Sequence, residues 1–577
     1  MRALVWPALA LALACAFAPP APAAPSPAAQ GTRGMVVTAQ HLASQVGLRI
    51  LKQGGNAVDA AVATGYALAV VDPCCGNIGG GGFMTLHLAD GRDAFINFRE
   101  RAPLRATRDM YLDDKGNVIP GRSTQGYLAV GVPGTVMGLE TALKQYGTMT
   151  RAQVMAPAIR LAKDGFILER GDIDILTGKR QHGNLDALTG PSQRFAQEPN
   201  VAAIFLNHGR PYRVGERLVQ KNLAHTLRLI EKHGAAAFYD GPIADAIVRA
   251  SQARGGILGK ADFTNYRASE TAPVACNYHG YHIVSAPLPS SGGITLCEIL
   301  HVIAPYPLAA MGFHSAAATH VMVEAMRHAY ADRNTLLGDP HFVAVPVGRL
   351  LSAAHAAKIR AAIRPNAATP STRIAPGAAL REGTDTTHYS IVDDKGNAVS
   401  VTYTINRYFG AGVIAGDTGF FLNDEMDDFT SKAGAPNLYG LVQGENNAIA
   451  PGKQPLSSMT PTIVTRDGKL FMVLGSPGGS RIITITLETL LNVVDHGMSL
   501  QEAVAAPRFH HQWLPDVIQY EPDAFSREAM ASLKAMGYHF KAYGPWGAVE
   551  AIQVDPANGT LTGVADPRQP AGAAAGY

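Results

Sequence analysis

The chain has 577 residues, of which 47% are hydrophobic and 16% are charged, so it can bury a large core. Its formal net charge is +3 at pH 7, and its acidic and basic residues are interspersed without a basic tract. This balance argues against a nucleic-acid partner, which would require a strongly basic face.

The N-terminus has the layout of a secretory signal. Arg2 precedes an apolar run over residues 3–18, and small residues follow, with Ala21-Pro-Ala23 as the cleavage site. The run is too short to favour a membrane span, and we find no transmembrane candidate further along. We predict a signal peptide over residues 1–23 and a periplasmic or extracellular location. A lipidated Cys15 is the alternative.

Two helices and a hairpin are predicted at the start of the mature chain. The first helix ends at Gly54-Gly55, Asn56 is a good N-cap for the second, and Pro73 ends that second helix. The next segment, FMTLHLADGRDAFINFRE, predicts two strands joined at Asp90-Gly91. From about residue 150 to residue 380 the pattern is mainly helical, with Thr150 as one cap.

The pattern becomes strongly β after this helical stretch. HYSIVDDKGNAVSVTYTIN predicts two strands around Asp394-Lys-Gly396, and PTIVTRDGKLFMVLGSPGG predicts another pair around Asp467-Gly468. Their low charge indicates strands covered on both faces. A helix follows from about Arg481 to Val494, and Ser499-Leu-Gln-Glu502 is a capping box for the next one. Sheets covered by helices predict a layered α/β sandwich forming one compact body.

The cysteines indicate no metal site. Those that remain after the signal are Cys74, Cys75, Cys276 and Cys297. They form no C-x-x-C pair and no Cys/His zinc spacing. Disulfides are compatible with an oxidising compartment, but the spacing leaves the pairing open.

Two glycine-rich segments can either expose backbone N–H groups to a ligand or let neighbouring backbone segments pack closely. In GSPGGSRIITITLETLL, residues 475–480 connect a strand to a helix, so N–H groups converge where an anion or oxyanion can bind. The Lys-Ser/Thr pair of a P-loop is missing, and a tight turn is the simpler interpretation. In NIGGGGFM, residues 77–84, close backbone packing is favoured over a phosphate cradle.

Three polar segments leave alternatives open. GFFLNDEMDDF lacks the EF-hand spacing, so its side chains either recognise an amine or face solvent: Asn423, Asp424, Glu425, Asp427 and Asp428. In PLSSMTP, Ser457 and Ser458 lack a Gly-x-Ser-x-Gly context and are expected to hydrogen-bond a ligand or the turn. In RFHHQWLPD we expect structural roles for His510 and His511.

The segment GTDTTHYS, residues 383–390, is either a polar loop entering a strand or the site of a threonine nucleophile. With the other motifs it resembles the γ-glutamyltransferase family of N-terminal nucleophile hydrolases. The motifs occur in the family's order over residues 34–577: GNAVDAAVA, GNIGGGGFM, INFRERAP, PLPSSGGI, HAYADRNTLLGDP, TTHYSIVDDKGNAVSVTYTIN, FFLNDEMDDF, PLSSMTPTIV, GSPGGSRIITITLETLLNVVD, PRFHHQWLPD and the terminal DPR…AAGY.

The resemblance implies a processed enzyme. It implies an α/β fold, specifically a four-layer αββα sandwich, and self-cleavage between Asp385 and Thr386. The products would be a large subunit over residues 24–385 and a small catalytic subunit over residues 386–577, which stay associated as a heterodimer. The new terminal amine of Thr386 would be the base that activates its own hydroxyl.

The resemblance also implies roles for the other site residues. Thr404 would orient the nucleophile, and the N–H groups of Gly478 and Gly479 would form the oxyanion hole. The remaining residues would bind substrate: Arg99, Ser457 and Ser458 its α-carboxylate, and Asn406, Glu425 and Asp428 its α-ammonium. The segment SKAGAPNLYGLVQG resembles a lid loop, with Tyr439 as its gate.

The implied reaction needs no cofactor. A γ-glutamyl ester would form on the nucleophile from glutathione or another γ-glutamyl amide. Water, an amino acid or a dipeptide would then release the glutamyl group. Two alternatives remain: a cephalosporin or glutaryl acylase of the same family, and a secreted binding protein that has lost activity.

Overall fold

The computed structural model describes residues 28–178, 191–374 and 386–577. The predicted signal peptide, Cys15 and Asp385 lie outside these ranges. Within them, no helix combines the length and apolar character needed to cross a membrane.

The described part of the chain forms the following strands, in order: β1 Ala29–Gly31, β2 Met35–Thr38, β3 Gly81–His87, β4 Asp93–Phe98, β5 Phe166–Ile167, β6 Arg217–Leu218, β7 Ser269–Thr271, β8 Val274–Tyr278, β9 Tyr281–Ser285, β10 Thr387–Val392, β11 Ala398–Thr404, β12 Thr462–Arg466, β13 Lys469–Leu474, β14 Phe509–His510, β15 Ile518–Tyr520, β16 Phe540–Ala542, β17 Glu550–Val554, β18 Leu561–Ala565 and β19 Ala573–Gly576.

The helices of the same ranges are, in order: α1 His41–Lys52, α2 Ala57–Val71, α3 Thr135–Tyr146, α4 Arg151–Asp164, α5 Arg170–Leu176, α6 Pro191–Gln197, α7 Pro199–Phe205, α8 Lys221–His233, α9 Ala235–Tyr239, α10 Pro242–Ala253, α11 Lys260–Thr264, α12 Gly292–Ile303, α13 Leu308–Met311, α14 Ala316–Leu336, α15 Val347–Leu350, α16 Ala353–Ala362, α17 Ile482–Val494, α18 Leu500–Ala505 and α19 Arg527–Ala535.

Two antiparallel sheets organise the described residues. The first has the strand order β1-β18-β17-β13-β12-β9-β8, and the second has the order β19-β2-β10-β11-β3-β4-β7. Every neighbouring pair in them is antiparallel. The chain is therefore a mixed α/β protein, as the sequence predicted.

Apolar side chains from both sheets pack against each other. One buried cluster combines Met35, Val37 and Val392 of the second sheet with Ile463 and Ile552 of the first. Two larger clusters lie elsewhere: one joins the second sheet to helices that include α1 to α4, and the other joins the first sheet to helices that include α12, α14 and α17. Burial on both faces accounts for the low charge of the strands.

The predicted turns and caps are confirmed. β3 and β4, β10 and β11, and β12 and β13 form the three expected hairpins. Asn56, Thr150 and Ser499 each cap a helix with a reciprocal capping box, because their side chains accept backbone N–H groups that the first helical turn leaves unpaired.

The mainly helical stretch contains a hairpin that the sequence analysis did not single out. β8 and β9 pair across a turn at His279 and Gly280, both of which have positive φ. Exposed positions and polar residues such as Asn277 and His282 interrupt the apolar pattern there, so the hairpin gives a weak signal in the sequence.

The structure also settles which cysteines lie together. Disulfides join Cys74 to Cys75 and Cys276 to Cys297. The second one links β8 to α12, with Cα atoms 5.8 Å apart, an ordinary spacing for a disulfide.

Candidate active site

Antiparallel pairing brings several of the predicted site residues to the same end of neighbouring strands in the second sheet. Thr404 at the end of β11 pairs with Gly81 at the start of β3, and Gly82 pairs with Phe98 at the end of β4. The start of β10, next to Thr386, lies at this same end of the strands. Residues that are far apart in the chain therefore line one pocket: Arg99, Arg333, Thr386, Thr404, Asn406, Glu425, Asp428, Tyr439, Leu441, Leu456, Ser457, Ser458, Met459, Gly479, Ser480 and Ile482.

The structure thus gathers nearly every predicted residue. Gly478 does not itself line the pocket, but it directly precedes Gly479, which does. Asp385 lies outside the described residues. The sequence analysis missed Arg333 and the apolar wall that includes Leu441, Met459 and Ile482.

Thr386 directly precedes β10. It is buried, and its Oγ1 donates to Thr404 Oγ1 at 3.3 Å. Thr404 Oγ1 also accepts the backbone N–H of Asn406 at 2.8 Å. The Thr404 hydroxyl is therefore held in place beside the Thr386 hydroxyl, the geometry expected of an orienting residue.

The four-glycine segment holds Thr404 by close backbone approach. A Cβ atom on Gly80 would lie 1.8 Å from the Thr404 carbonyl oxygen, and one on Gly79 would lie 2.0 Å from the Phe421 carbonyl oxygen. Both distances are far below van der Waals contact. The close-packing interpretation of NIGGGGFM is confirmed, because a side chain at Gly80 would clash with the end of β11 at Thr404, and one at Gly79 would clash with the backbone of Phe421.

The glycine turn after β13 places N–H groups at a helix start. Gly478 has φ of 147° and Gly479 has φ of 57°, so both lie in the region that favours glycine. A 3-10 turn over Gly479–Arg481 leads directly into α17. The first N–H groups of such a segment lack intrahelical partners, and the helix dipole favours negative charge there.

Arg99 is the central charge of the pocket. It follows β4 and is fully buried, and its two terminal nitrogens donate to Glu425 and Asp428. Its Nε donates to the Pro455 carbonyl at 3.2 Å, and Glu100 lies 3.6 Å from its Nη1. One guanidinium is thus surrounded by three carboxyl groups.

This crowding perturbs the titration of the cluster. Burial opposes the charge of Arg99, but Glu425, Asp428 and Glu100 outweigh it and raise the pKa of Arg99 above its usual value. Burial raises the pKa of Glu425 well above its usual range, against the attraction of Arg99. Burial likewise raises the pKa of Glu100 to about 8.

Glu100 provides a test of this electrostatic picture. The pKa of its carboxyl group rises from an ordinary value of 4.5 to about 8 in the fold, so within that window the unfolded chain has lost a proton that the folded chain keeps. The unfolded state then binds fewer protons, and the free energy of unfolding falls as pH rises from about 5 to 8. Glu100→Gln removes this loss.

We expect the Tm difference, Glu100→Gln minus wild type, to become more positive between pH 5 and pH 8. One pKa unit corresponds to about 1.4 kcal/mol. The difference in the free energy of unfolding between variant and wild type is therefore expected to change by more than about 1 kcal/mol between the two pH values. Calorimetry at both pH values measures it, and a pH-independent offset from the amide cancels in the comparison. A Tm difference that stays constant would show that Glu100 is ionised in the fold.

The acidic segment is buried, so the solvent-facing alternative for it is wrong. Three of its members hold neighbouring chain segments. Asn423 binds the backbone of Gly79 and Gly131, Asp424 accepts from Arg407, and Asp427 accepts from Ser123 Oγ at 2.6 Å. Only Glu425 and Asp428, on the 3-10 turn Glu425–Asp428, reach the pocket.

Tyr439, in the predicted lid segment, lines the pocket. Its hydroxyl group donates to the side-chain oxygen of Asn406 and lies 3.2 Å from the Asn406 carbonyl. The neighbouring Leu438 N–H donates to Asp427 at 2.9 Å. Asn406 has φ of 73°, and its amide donates to the Asp424 carbonyl at 3.0 Å. The predicted gate residue is therefore joined by hydrogen bonds to a residue that is predicted to bind substrate.

Arg333, on α14, was missed by the sequence analysis. It is buried, and it donates to Ser458 Oγ and to Ser291 Oγ, each at 2.9 Å. A guanidinium only donates, so Ser458 accepts here and its own O–H remains able to donate to a ligand. Burial lowers the pKa of Arg333 to about 10. The motif HAYADRNTLLGDP contains Arg333, but no spacing in the sequence linked this residue to Ser291 or Ser458.

The two histidines of RFHHQWLPD have structural contacts, as predicted. His510 lies between Thr484 Oγ1 and Gln512, and His511 contacts Asp516. Among the described residues, the groups with metal-ligand spacing are Asp72/Cys74/Cys75 and Glu298/Asp332/His355, and neither group lines this pocket.

Comparisons with known proteins agree with this geometry. The family described as gamma-glutamyltranspeptidase matches residues 43–576. A glutathione hydrolase proenzyme from Pseudomonas sp. (strain A14) is 56% identical over 99% of this chain and 98% of its own length.

Two solved structures share the fold. A cephalosporin acylase from Bacillus halodurans has a TM-score of 0.82 at 28% identity, covering 97% of this chain and 99% of its own. A gamma-glutamyltranspeptidase chain from Helicobacter pylori has a TM-score of 0.55 at 44% identity, covering 59% of this chain and 95% of its own. With the family match over nearly the whole length, these relatives show that this chain belongs to the γ-glutamyltranspeptidase family.

Proposed function

We propose that the chain is the precursor of a γ-glutamyltransferase and glutathione hydrolase that cuts itself between Asp385 and Thr386. The large subunit would span residues 24–385 and the small subunit residues 386–577, held together as a heterodimer. A signal peptide over residues 1–23 would direct the precursor to the periplasm or the cell exterior. The relative named a proenzyme supports the processing.

We infer that both subunits share one four-layer αββα sandwich. The apolar cluster between the sheets and the two larger helix-facing clusters support this layering. β10 begins directly after Thr386 and pairs with β2 and β11. Both fragments would therefore supply strands to the same sheet. A cut at residue 385 would therefore leave the two fragments packed together. The Helicobacter pylori chain, almost fully matched by 59% of this one, agrees with a separate large-subunit chain.

The observation that carries the proposal is the position of Thr386 beside a buried cation and two buried acids. A threonine hydroxyl is a weak nucleophile unless a base removes its proton. Cleavage would give Thr386 a terminal amine with a pKa of about 8, which is partly neutral near pH 7 and can accept that proton. Thr404 would hold the hydroxyl group in position during this transfer.

The pocket would exchange one set of ion pairs for another when substrate binds. Arg99 contacts Glu425 and Asp428 in the structure. A γ-glutamyl head group carries both an α-carboxylate and an α-ammonium, so Arg99 would pair with the first and the two acids with the second. Because the ligand is a zwitterion, this exchange leaves the net charge of the buried site unchanged. Asn406 would add a contact to the ammonium, and Ser457 and Ser458 to the carboxylate.

Two half-reactions follow from this placement. Thr386 Oγ1 attacks the γ-carbonyl carbon, the N–H groups of Gly478 and Gly479 stabilise the oxyanion, and the amine leaves with a proton from the Thr386 amine. Water or the amine of an acceptor amino acid or dipeptide then attacks the ester and restores the hydroxyl. Tyr439 would control which of them enters.

The acylase alternative has structural support in the Bacillus halodurans neighbour, but the acids argue against it. A glutaryl group has no amine, so it would leave Glu425 and Asp428 without a positive partner once Arg99 turns to its carboxylate. Uncompensated buried charge is costly. An inactive binding protein is disfavoured because the expected nucleophile and its orienting hydroxyl are both in place.

A pair of matched substrates tests the function. We expect γ-glutamyl-p-nitroanilide to be hydrolysed with a kcat/KM at least about 100-fold above that of glutaryl-p-nitroanilide, since losing a charge-assisted contact costs about 1.5–3 kcal/mol per hydrogen bond. The two differ only in the α-amine. A preference for the glutaryl compound would identify an acylase, and release of nitroaniline from neither would favour a binding protein.

A further inference from the structure

A cluster outside the active site brings three ligand-type side chains from three helices to one point. Glu298 lies on α12, Asp332 on α14 and His355 on α16. His355 Nε2 is 2.8 Å from Asp332 Oδ2 and 3.2 Å from Glu298 Oε1. Glu298 is 2% exposed, His355 11% and Asp332 24%, so the cluster is mostly buried but open on one side.

We propose that this cluster, the helix clip, is a binding site for a divalent transition-metal ion such as Zn²⁺. Two carboxylate oxygens converge on one imidazole nitrogen. A single N–H points along one line, so it satisfies one of these acceptors well and leaves the other with a poorly aligned contact. A cation placed between the three atoms accepts electron pairs from all of them.

The distances suit such an ion. Zinc binds histidine nitrogen and carboxylate oxygen at about 2.0–2.2 Å, so donors around one ion lie about 3.0 Å apart in octahedral and about 3.4 Å apart in tetrahedral geometry. The observed separations, 2.8 and 3.2 Å, need only small side-chain shifts to fit. One imidazole and two carboxylates are a donor set for zinc, manganese or cobalt rather than for magnesium or calcium, which prefer oxygen alone.

A second feature points to the same place. His328 lies one helical turn before Asp332 on α14, near enough for the charges of Asp332 and His355 to act on it. Its Nε2 is buried and has no hydrogen-bond partner among the described residues. Buried polar atoms are normally paired, and this unpaired nitrogen belongs to the helix that carries Asp332.

The helix clip would stabilise one part of the fold. α16 is the last α-helix before residue 386 in the described ranges, and the ion would tie it to α12 and α14. Asp332 directly precedes Arg333, which lines the active-site pocket, so the same ion would restrain the helix that carries Arg333. The ligands lie 23 and 57 residues apart in the chain, which is why their spacing gave no metal signal.

The test is metal binding by the purified protein, with its large and small subunits associated, after chelator treatment. Reductant is omitted so that the cysteines of the Asp72/Cys74/Cys75 group stay paired with each other. We expect calorimetry to show one Zn²⁺ bound per chain with a Kd below about 10 μM, and Zn²⁺ to raise the Tm by about 2 °C or more. Co²⁺ should give visible d–d absorption bands, and Mg²⁺ should give no shift.

Matched variants locate the site. His355→Gln is expected to weaken Zn²⁺ binding at least about tenfold and to remove the Tm shift and the Co²⁺ bands. His279→Gln is the control, because His279 contacts a single carboxylate, Asp495, elsewhere on the surface. If His355→Gln does not fold, Asp332→Asn replaces it. Absence of stoichiometric binding in the wild type, or wild-type affinity in both cluster variants, would overturn the proposal.

Discussion

Replacement of Thr386 by alanine is expected to leave the purified protein as one uncut chain with no measurable γ-glutamyl transfer. The variant loses both the hydroxyl group that we propose attacks the preceding peptide bond and the amine that this cut would create. Removing a nucleophile that works with its own base typically costs a thousandfold or more in rate, so we expect a loss of at least about 10³ in kcat. Gel electrophoresis and γ-glutamyl-p-nitroanilide kinetics measure the two effects.

Thr386→Ser is the matched control. Serine keeps the hydroxyl group and loses only a methyl group, so this variant should still be cut, and its small fragment should begin at residue 386 by N-terminal sequencing. The wild type should show the same terminus. Cleavage of Thr386→Ala at the same bond would mean that another group performs the cut.

Arg99→Met is expected to combine a loss of substrate binding with a loss of stability. The variant removes the cation that Glu425 and Asp428 contact, and breaking a buried ion pair from one side costs roughly 3–5 kcal/mol. We therefore expect a lower Tm, and a kcat/KM for γ-glutamyl substrates reduced at least about 100-fold. Thermal unfolding and steady-state kinetics measure both changes.

Two further variants separate charge balance from recognition. Arg99→Met combined with Glu425→Gln and Asp428→Asn removes the unpaired acids, so much of the stability should return while activity stays absent. Arg99→Lys keeps the positive charge but cannot make the bidentate contact with a carboxylate, so its KM should rise more than its kcat falls. A wild-type KM in Arg99→Met would show that the α-carboxylate binds elsewhere.

Local sequence patterns predicted several of the helices and three of the hairpins in this fold. Asn56, Thr150 and Ser499 cap helices where expected because a cap depends on residues within one turn. The hairpins at Asp90-Gly91 and Asp467-Gly468 followed from turn residues between apolar runs. The β8–β9 hairpin was not singled out, because its polar and exposed positions hide the alternation.

The charge state of the site could not be predicted in this way. The sequence left the acidic segment as either an amine site or a solvated loop, since five polar residues within six positions fit both. Burial decides between them. Asn423, Asp424 and Asp427 bind neighbouring backbone and side chains, and only Glu425 and Asp428 turn toward Arg99.

The order of motifs along the chain by itself determined the family and the expected nucleophile. Each motif is a continuous run of residues, so it can be recognised without knowledge of the tertiary structure. The tertiary structure alone decided how Arg333 meets Ser458 and how Glu298, Asp332 and His355 converge. These contacts join helices and loops that are remote in sequence. Their geometry depends on how the helices pack around the sheets, which no local pattern of residues encodes.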